Sequence, residues 1–318
     1  MAAREVVDLG AAEVAASELD RIPLIGFNLA GSLPPIFAVR TWSEEVENYR
    51  RLAAQLGSDQ PIYTVSPPTG DKPSDFPPNT DAWADYCMER FGSLLDRPSI
   101  ALVGWSYAGV VALRIAERLA ERGVDVRLVA LIDSTLPRKK PWGSSVKRSE
   151  LHHFFVMGGR LYEIDDPRAR RAFFLRYARK LPKRLAKKAL LAVTPSKRPV
   201  TAVASEPVSA SSIANRESRE QRMPLLMRAI RIAYLKHEAR PTALPIALFT
   251  TEESRARAGD VALGWMGVLE GDVEVVRVAG THHTIFAPGN VDVLAPRLAG
   301  SLRSAWDRAG RSARARAS

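Results

Sequence analysis

A single cysteine in 318 residues, Cys87, excludes an internal disulfide and fits a reducing compartment, so a cytoplasmic location is expected. It falls within the helical pattern Trp83-Ala84-Asp85-Tyr86-Cys87 and reads as a buried core thiol, not a nucleophile. No apolar run approaches the roughly 18 residues needed to span a bilayer. The first 21 residues carry Arg4, Glu5, Asp8 and Glu13 without a continuous apolar block, which argues against a signal peptide or an anchor. Histidine is scarce too, with five in the chain. There is no zinc-spaced Cys/His cluster, no glycine-rich phosphate loop and no internal repeat. No metal and no redox cofactor is therefore expected.

What is present is a globular composition, 46% hydrophobic and 25% charged, long enough for one large α/β domain with an insertion or two modest domains. The net charge of +11 is concentrated. Residues 136–200 hold 18 Lys/Arg against Glu150, Glu163, Asp165 and Asp166, a balance of +14, which leaves the remainder at −3.

Strand patterns at 21–27, 61–66, 99–103, 127–132, 244–250 and 273–278 alternate with helical patterns at 41–56, 81–95, 110–122 and 291–308. This rhythm predicts a mostly parallel, doubly wound sheet. Thr41-Trp42-Ser43-Glu44 has the spacing of a capping box, and Gly123 is placed to stop a helix. The stretch 136–237 breaks the rhythm, with a basic helical pattern at 169–191, a Ser/Pro-rich connector at 201–213 and a helix at 224–235. The expected organisation is an N-terminal extension (1–20), a core (21–135 and 238–308), a basic helical lid insertion (136–237) and a disordered basic tail (309–318).

Residues 104–109 read Gly-Trp-Ser-Tyr-Ala-Gly at a strand-to-helix junction. Small residues two before and two after a serine allow the tight turn of a nucleophile elbow, which lifts the Ser106 hydroxyl clear of the sheet. A helix N-cap role is the plainer alternative for Ser106. A serine hydroxyl needs a base, and the base needs a carboxylate to fix its tautomer. His282, after the last strand, stands where that base falls in the chain order Ser, acid, His. His283 is its neighbour and alternative, His152 and His153 belong to the basic insertion, and His237 ends a helix. Asp133 closes the strand after the elbow and is the favoured acid, with Glu252 or Glu253 competing from the next strand end. An oxyanion hole takes two backbone N–H groups. Tyr107 supplies one, and Ala30, or failing it Leu29, is the expected second.

These residues resemble the thioesterase domains of nonribosomal peptide and polyketide synthases, members of the α/β-hydrolase fold. The resemblance covers about residues 21–135 and 241–290. It rests on Pro23 to Ser32, Pro61 to Val65, Gly104 to Gly109, Leu131 to Ser134, Leu263 to Trp265 and Val278 to His282. The family's first loop often reads His-Pro-Ala-Gly-Gly and is taken here as Asn28-Leu29-Ala30-Gly31-Ser32. In the family the acid follows the strand after the elbow, as Asp133 does, and the insertion is similar to the family's lid. No carrier-protein or condensation module is recognised before the domain, so a free-standing or excised thioesterase is expected.

The resemblance implies cleavage or cyclisation of an acyl, peptidyl or polyketide chain held as a thioester on the phosphopantetheine of a carrier protein. The expected partners are that carrier protein and the acyl chain itself. A small-molecule carboxylesterase and an idle hydrolase fold used as a basic binding module are the alternatives. The basic stretch reads as a solvated helix face, as a docking surface for an acidic carrier protein, or as a weak contact of residues 170–190 with anionic membranes. Nucleic acid is not expected, since no binding motif accompanies the charge.

Overall fold

Between Ser99 and Trp105 every residue but the first is buried and none is charged, as in a strand covered on both faces. That strand is the fifth of eight in one sheet of a computed structural model, which describes residues 6–9, 22–42, 45–70, 72–136 and 225–317. In chain order the strands are β1 (Val7–Asp8), β2 (Leu24–Phe27), β3 (Ile36–Val39), β4 (Ile62–Val65), β5 (Ser99–Trp105), β6 (Asp125–Ile132), β7 (Ile246–Thr250) and β8 (Val273–Arg277). The helices are α1 (Glu45–Leu56), α2 (Thr80–Phe91), α3 (Tyr107–Glu121), α4 (Glu252–Ala258) and α5 (Val291–Ala317). Residues 225–236 are also helical.

The spatial order is β1-β2-β4-β3-β5-β6-β7-β8, and among the described residues only β2 against β4 runs antiparallel. Alternation along the strands splits the core into two layers. Ile36, Ala38, Ala101 and Val103 face α1 and α5, where Tyr49, Leu52, Leu294 and Leu298 are buried. Phe37, Val39, Ile100 and Leu102 face α2 and α3, with Trp83 fully buried among them. The helical residues 225–236 join this second layer through Leu226, Ala229, Ile230 and Ala233. Cys87 sits there too, and burial pushes its thiol up to about 12, so it behaves as a small apolar residue.

Three features differ from the sequence reading. β3 was not expected. Its four apolar residues follow Pro34-Pro35, and the proline pair masks so short a run as loop. An acid not named in that reading, Glu45, reaches back to Thr41, whose N–H donates to Glu45 Oε2 at 2.6 Å, while Ser43 and Glu44 of the expected capping box lie outside the described residues. The tail expected to be disordered from 309 onward continues α5 to Ala317, because its Ala and Arg residues are strong helix formers. The basic stretch 137–224, including His152, His153 and residues 170–190, lies outside the described residues. Among the described residues no helix is long and apolar enough to cross a membrane.

Candidate active site

The site forms at the C-terminal ends of β5, β6, β7 and β8. At the end of β5, a Cβ on Gly104 would lie 2.3 Å from the Ala108 carbonyl oxygen, so only glycine admits the turn. The turn drives Ser106 to φ 55°, ψ −126°, a conformation that side-chain-bearing residues rarely hold and that costs of order 1–3 kcal/mol. The Ser106 N–H donates to Ile132 O at 2.9 Å, locking the elbow to the end of β6. Ser106 does not cap α3 with its side chain, which removes the N-cap alternative. Tyr107 is the first residue of α3, so its N–H is one of the donors a helix leaves without an internal partner.

Asp133 follows directly, also at positive φ (44°) and fully buried. Its Oδ1 accepts the Thr251 N–H at 2.9 Å and the Thr251 hydroxyl at 3.1 Å. Its Oδ2 accepts the Ser254 hydroxyl at 2.6 Å and lies 2.8 Å from His282 Nδ1. Burial opposes ionisation of this carboxyl. The hydrogen bond and charge of His282, together with Ser254 and Thr251, outweigh it and hold the pKa below the ordinary carboxylate value.

His282 is carried on the turn after β8, which is closed by Thr281 N–H on Thr284 Oγ1 at 2.8 Å and by Asn290 Nδ2 on Thr284 O at 2.8 Å. Its ring lies 5.1 Å from the Trp105 ring, which Phe286 meets edge-on at 5.7 Å. The residue before the elbow serine therefore supports the imidazole. His283 lies perpendicular to His282, and burial, with the neighbouring His282 and Arg257 charges, pushes its pKa down to about 4. Neither competing acid meets the imidazole. Glu252 pairs with Arg277 and Glu253 with Arg257, and Glu253 touches only the His282 backbone N–H, at 3.4 Å. His237 follows the helical residues 225–236 and is not among these contacts.

Ala30 and Leu29 are misplaced as oxyanion donors. Because β2 is antiparallel to β4, Phe27 is level with Ile62, and Ile62 with Ile36 and Ala101, the N-terminal end of the parallel strands. The loop after β2 therefore leaves the sheet at the end away from Ser106, more than about 10 Å off at a strand rise of ~3.3 Å per residue. There it is pinned to the segment after α1, by Asn28 Nδ2 on Gly57 O and Ser32 N–H on Asp59 Oδ1. The turn after β3 lies instead at the elbow's end of the sheet, since Val39 is paired with Gly104. In that turn Glu45 is 2% exposed and accepts the N–H of Thr41 at 2.6 Å and of Trp42 at 3.4 Å. Burial pushes the Glu45 pKa up to about 8, against these hydrogen bonds and the nearby Arg40 charge. Sequence reasoning missed Thr251, Ser254, Trp105 and this turn. The last follows from the missed β3, and the others carry no motif of their own. Among the described residues no three His, Cys, Asp or Glu side chains converge as a metal cluster requires.

Comparison with known proteins bears on the whole assembly. A family model for the thioesterase domain matches residues 34–301, beginning past the Asn28–Ser32 loop and immediately before β3. CymA of Salinispora arenicola, described as a probable non-canonical nonribosomal peptide synthetase, is 31% identical over 111 residues, 35% of this chain and 1% of that protein. Orsellinic acid synthase of Armillaria mellea is 33% identical over 146 residues, 45% of this chain and 6% of that protein. The chain thus spans a small part of the relatives it matches. Among solved structures, the wild-type Vlm2 thioesterase domain aligns with a TM-score of 0.54 at 22% identity, covering 86% of this chain and 95% of that one. The surfactin thioesterase domain SrfTE aligns with a TM-score of 0.52 at 14% identity, covering 88% and 95%. These likenesses show the α/β-hydrolase fold. With the family match running from β3 into α5, the chain belongs to the thioesterase domain family, hydrolases acting on thioester bonds.

Proposed function

We propose that this chain is a serine thioesterase that releases an acyl, peptidyl or polyketide chain from a carrier-protein thioester through an ester on Ser106. The observation that carries the reading is the 2.8 Å contact of His282 Nδ1 with buried Asp133, on the strand end to which the strained Ser106 turn is bonded. With Nδ1 engaged by Asp133, His282 Nε2 is the nitrogen left to accept the Ser106 proton as Oγ attacks the thioester carbonyl. Asp133 stabilises the imidazolium, and Tyr107 N–H holds the tetrahedral oxyanion. The second donor in this reading is Trp42 N–H, which comes from the turn beside the elbow and is held only loosely by Glu45.

His282 then returns the proton to the leaving pantetheine sulfur, and the thiol departs. Water, deprotonated by His282, releases the acid, or a nucleophile within the chain releases a ring. No resident cofactor enters the cycle, because the pantetheine arm arrives with the carrier as part of the substrate. The matched relatives named as a nonribosomal peptide synthetase and a synthase support a chain delivered in this way.

Single-turnover mass spectrometry with a series of acyl-pantetheine thioesters tests the reading. The expected result is an acyl mass increment on Ser106 in the wild type, absent in Ser106→Ala. Its absence from folded wild-type protein across the series overturns the proposal.

A further inference from the structure

Asp133 is held by four donors, and only His282 among them has a part in the mechanism above. Thr251 supplies its N–H and its hydroxyl to Oδ1, and His282 Nδ1 meets Oδ2. The fourth donor is the Ser254 hydroxyl, at 2.6 Å from that same Oδ2. A carboxylate offers about four lone-pair sites, so the four donors fill it. Ser254 is 5% exposed and lies in the first turn of α4. Its backbone N–H is taken by Thr251 Oγ1, the cap of that helix, at 3.2 Å. The cap is complete without the Ser254 side chain, which instead crosses to the end of β6.

We propose that Ser254 is a positioning residue of this site: by sharing Asp133 Oδ2 with His282 Nδ1, its hydroxyl sets the angle of the carboxylate and how strongly Asp133 stabilises the imidazolium. The inference rests on the Ser106–His282–Asp133 reading above. A hydrogen bond to a charged oxygen draws off part of the charge otherwise offered to the imidazolium. Without it, Asp133 Oδ2 offers more of its charge to the imidazolium and the carboxylate loses one of its fixed points. The charged or titratable groups facing the couple are Glu253 and Arg257 from α4 and His283 from the His282 turn, with Trp105 the uncharged contact from β5. A Ser254 substitution leaves every one of those charges in place.

The experiment is the second-order rate of Ser106 labelling by a small alkyl fluorophosphonate, a probe that forms a phosphonyl ester with loss of fluoride and is independent of acyl-chain preference. Rates are taken across the acid limb for the wild type, Ser254→Ala and Ser254→Thr, each checked for folding by thermal melting. In Ser254→Ala the limb is expected to move up by about 0.5–1 pH unit, with the plateau rate down about three- to tenfold. Ser254→Thr, which keeps the hydroxyl, is expected to restore the limb. If Ser254→Ala does not fold, Ser254→Cys, of similar size and a weak donor, carries the same expectation. A limb unmoved in Ser254→Ala or Ser254→Cys, or moved equally in Ser254→Thr, overturns the proposal while leaving the Ser106 reading intact. Failure of the wild type to label at Ser106 overturns both.

Discussion

Glu45 is a carboxyl that the fold keeps out of water while giving it two backbone donors. Its folded pKa, about 8, stands above its ordinary 4.5 because burial outweighs those donors and the Arg40 charge. The sign of the consequence is fixed. Between those two values the folded chain holds a proton that the unfolded chain has released, so stability falls as pH rises through the window. The slope contributed by this one group approaches about 1.4 kcal/mol per pH unit. Glu45→Gln removes the group while keeping an acceptor for Thr41. Urea midpoints from acid to mildly alkaline pH are expected to decline more steeply in the wild type than in the variant, with the two curves converging at the acid end. Parallel curves across the window refute the buried-carboxyl account. At this scale the sequence was most readable where chemistry demands a residue type at a chain position: Ser106, Asp133 and His282 were each named, and the structure brings Asp133 and His282 into contact. Ser254 and Glu45 were invisible because their roles depend on partners 121 and four residues away that no spacing rule marks.

At the level of elements, one four-residue strand decides how the rest of the site is understood. The alternation of strands and helices from β4 onward was legible, since buried runs of the β5 type admit few other readings. β3 was hidden behind Pro34-Pro35, and without it the first loop of the domain was assigned after β2 instead of after β3. The antiparallel direction of β2 then turns a plausible oxyanion donor, Ala30, into a residue at the wrong end of the sheet. A paired substitution separates the two assignments. Trp42→Pro deletes a backbone donor beside the elbow and is expected to lower kcat about 10²–10³-fold, the usual cost of losing one oxyanion donor. Ala30→Trp places a large side chain on the exposed loop and is expected to leave kcat/KM within about twofold, as surface substitutions remote from a site do. Melting curves show whether Trp42→Pro remains folded. Activity lost in Ala30→Trp and kept in Trp42→Pro would restore the first assignment.

Across the whole molecule, charge is the property that the proposed catalytic residues do not explain. The sheet and its helices read as an α/β domain from sequence because patterning repeats along the chain. The positive segment 136–200 offers no such repetition, only a balance of +14 against −3 elsewhere. A field of that size attracts an acidic partner over a distance set by ionic strength, with a screening length of about 10 Å at 0.1 M salt. If the substrate arrives on an acidic carrier protein, the attraction acts on encounter and not on chemistry. The kcat/KM for an acyl chain on its carrier protein is then expected to fall about tenfold or more between low and near-molar salt. The same acyl group on free pantetheine, which presents no acidic surface, is expected to change by no more than about twofold over that range. Charge reversal at Arg170, Arg171 and Arg176 together, three of the 18 basic residues of the segment, should flatten the salt response of the carrier-bound substrate and leave that of the free thioester as it was. Equal salt responses for both substrates in the wild type would show that the positive segment serves solubility and takes no part in delivery.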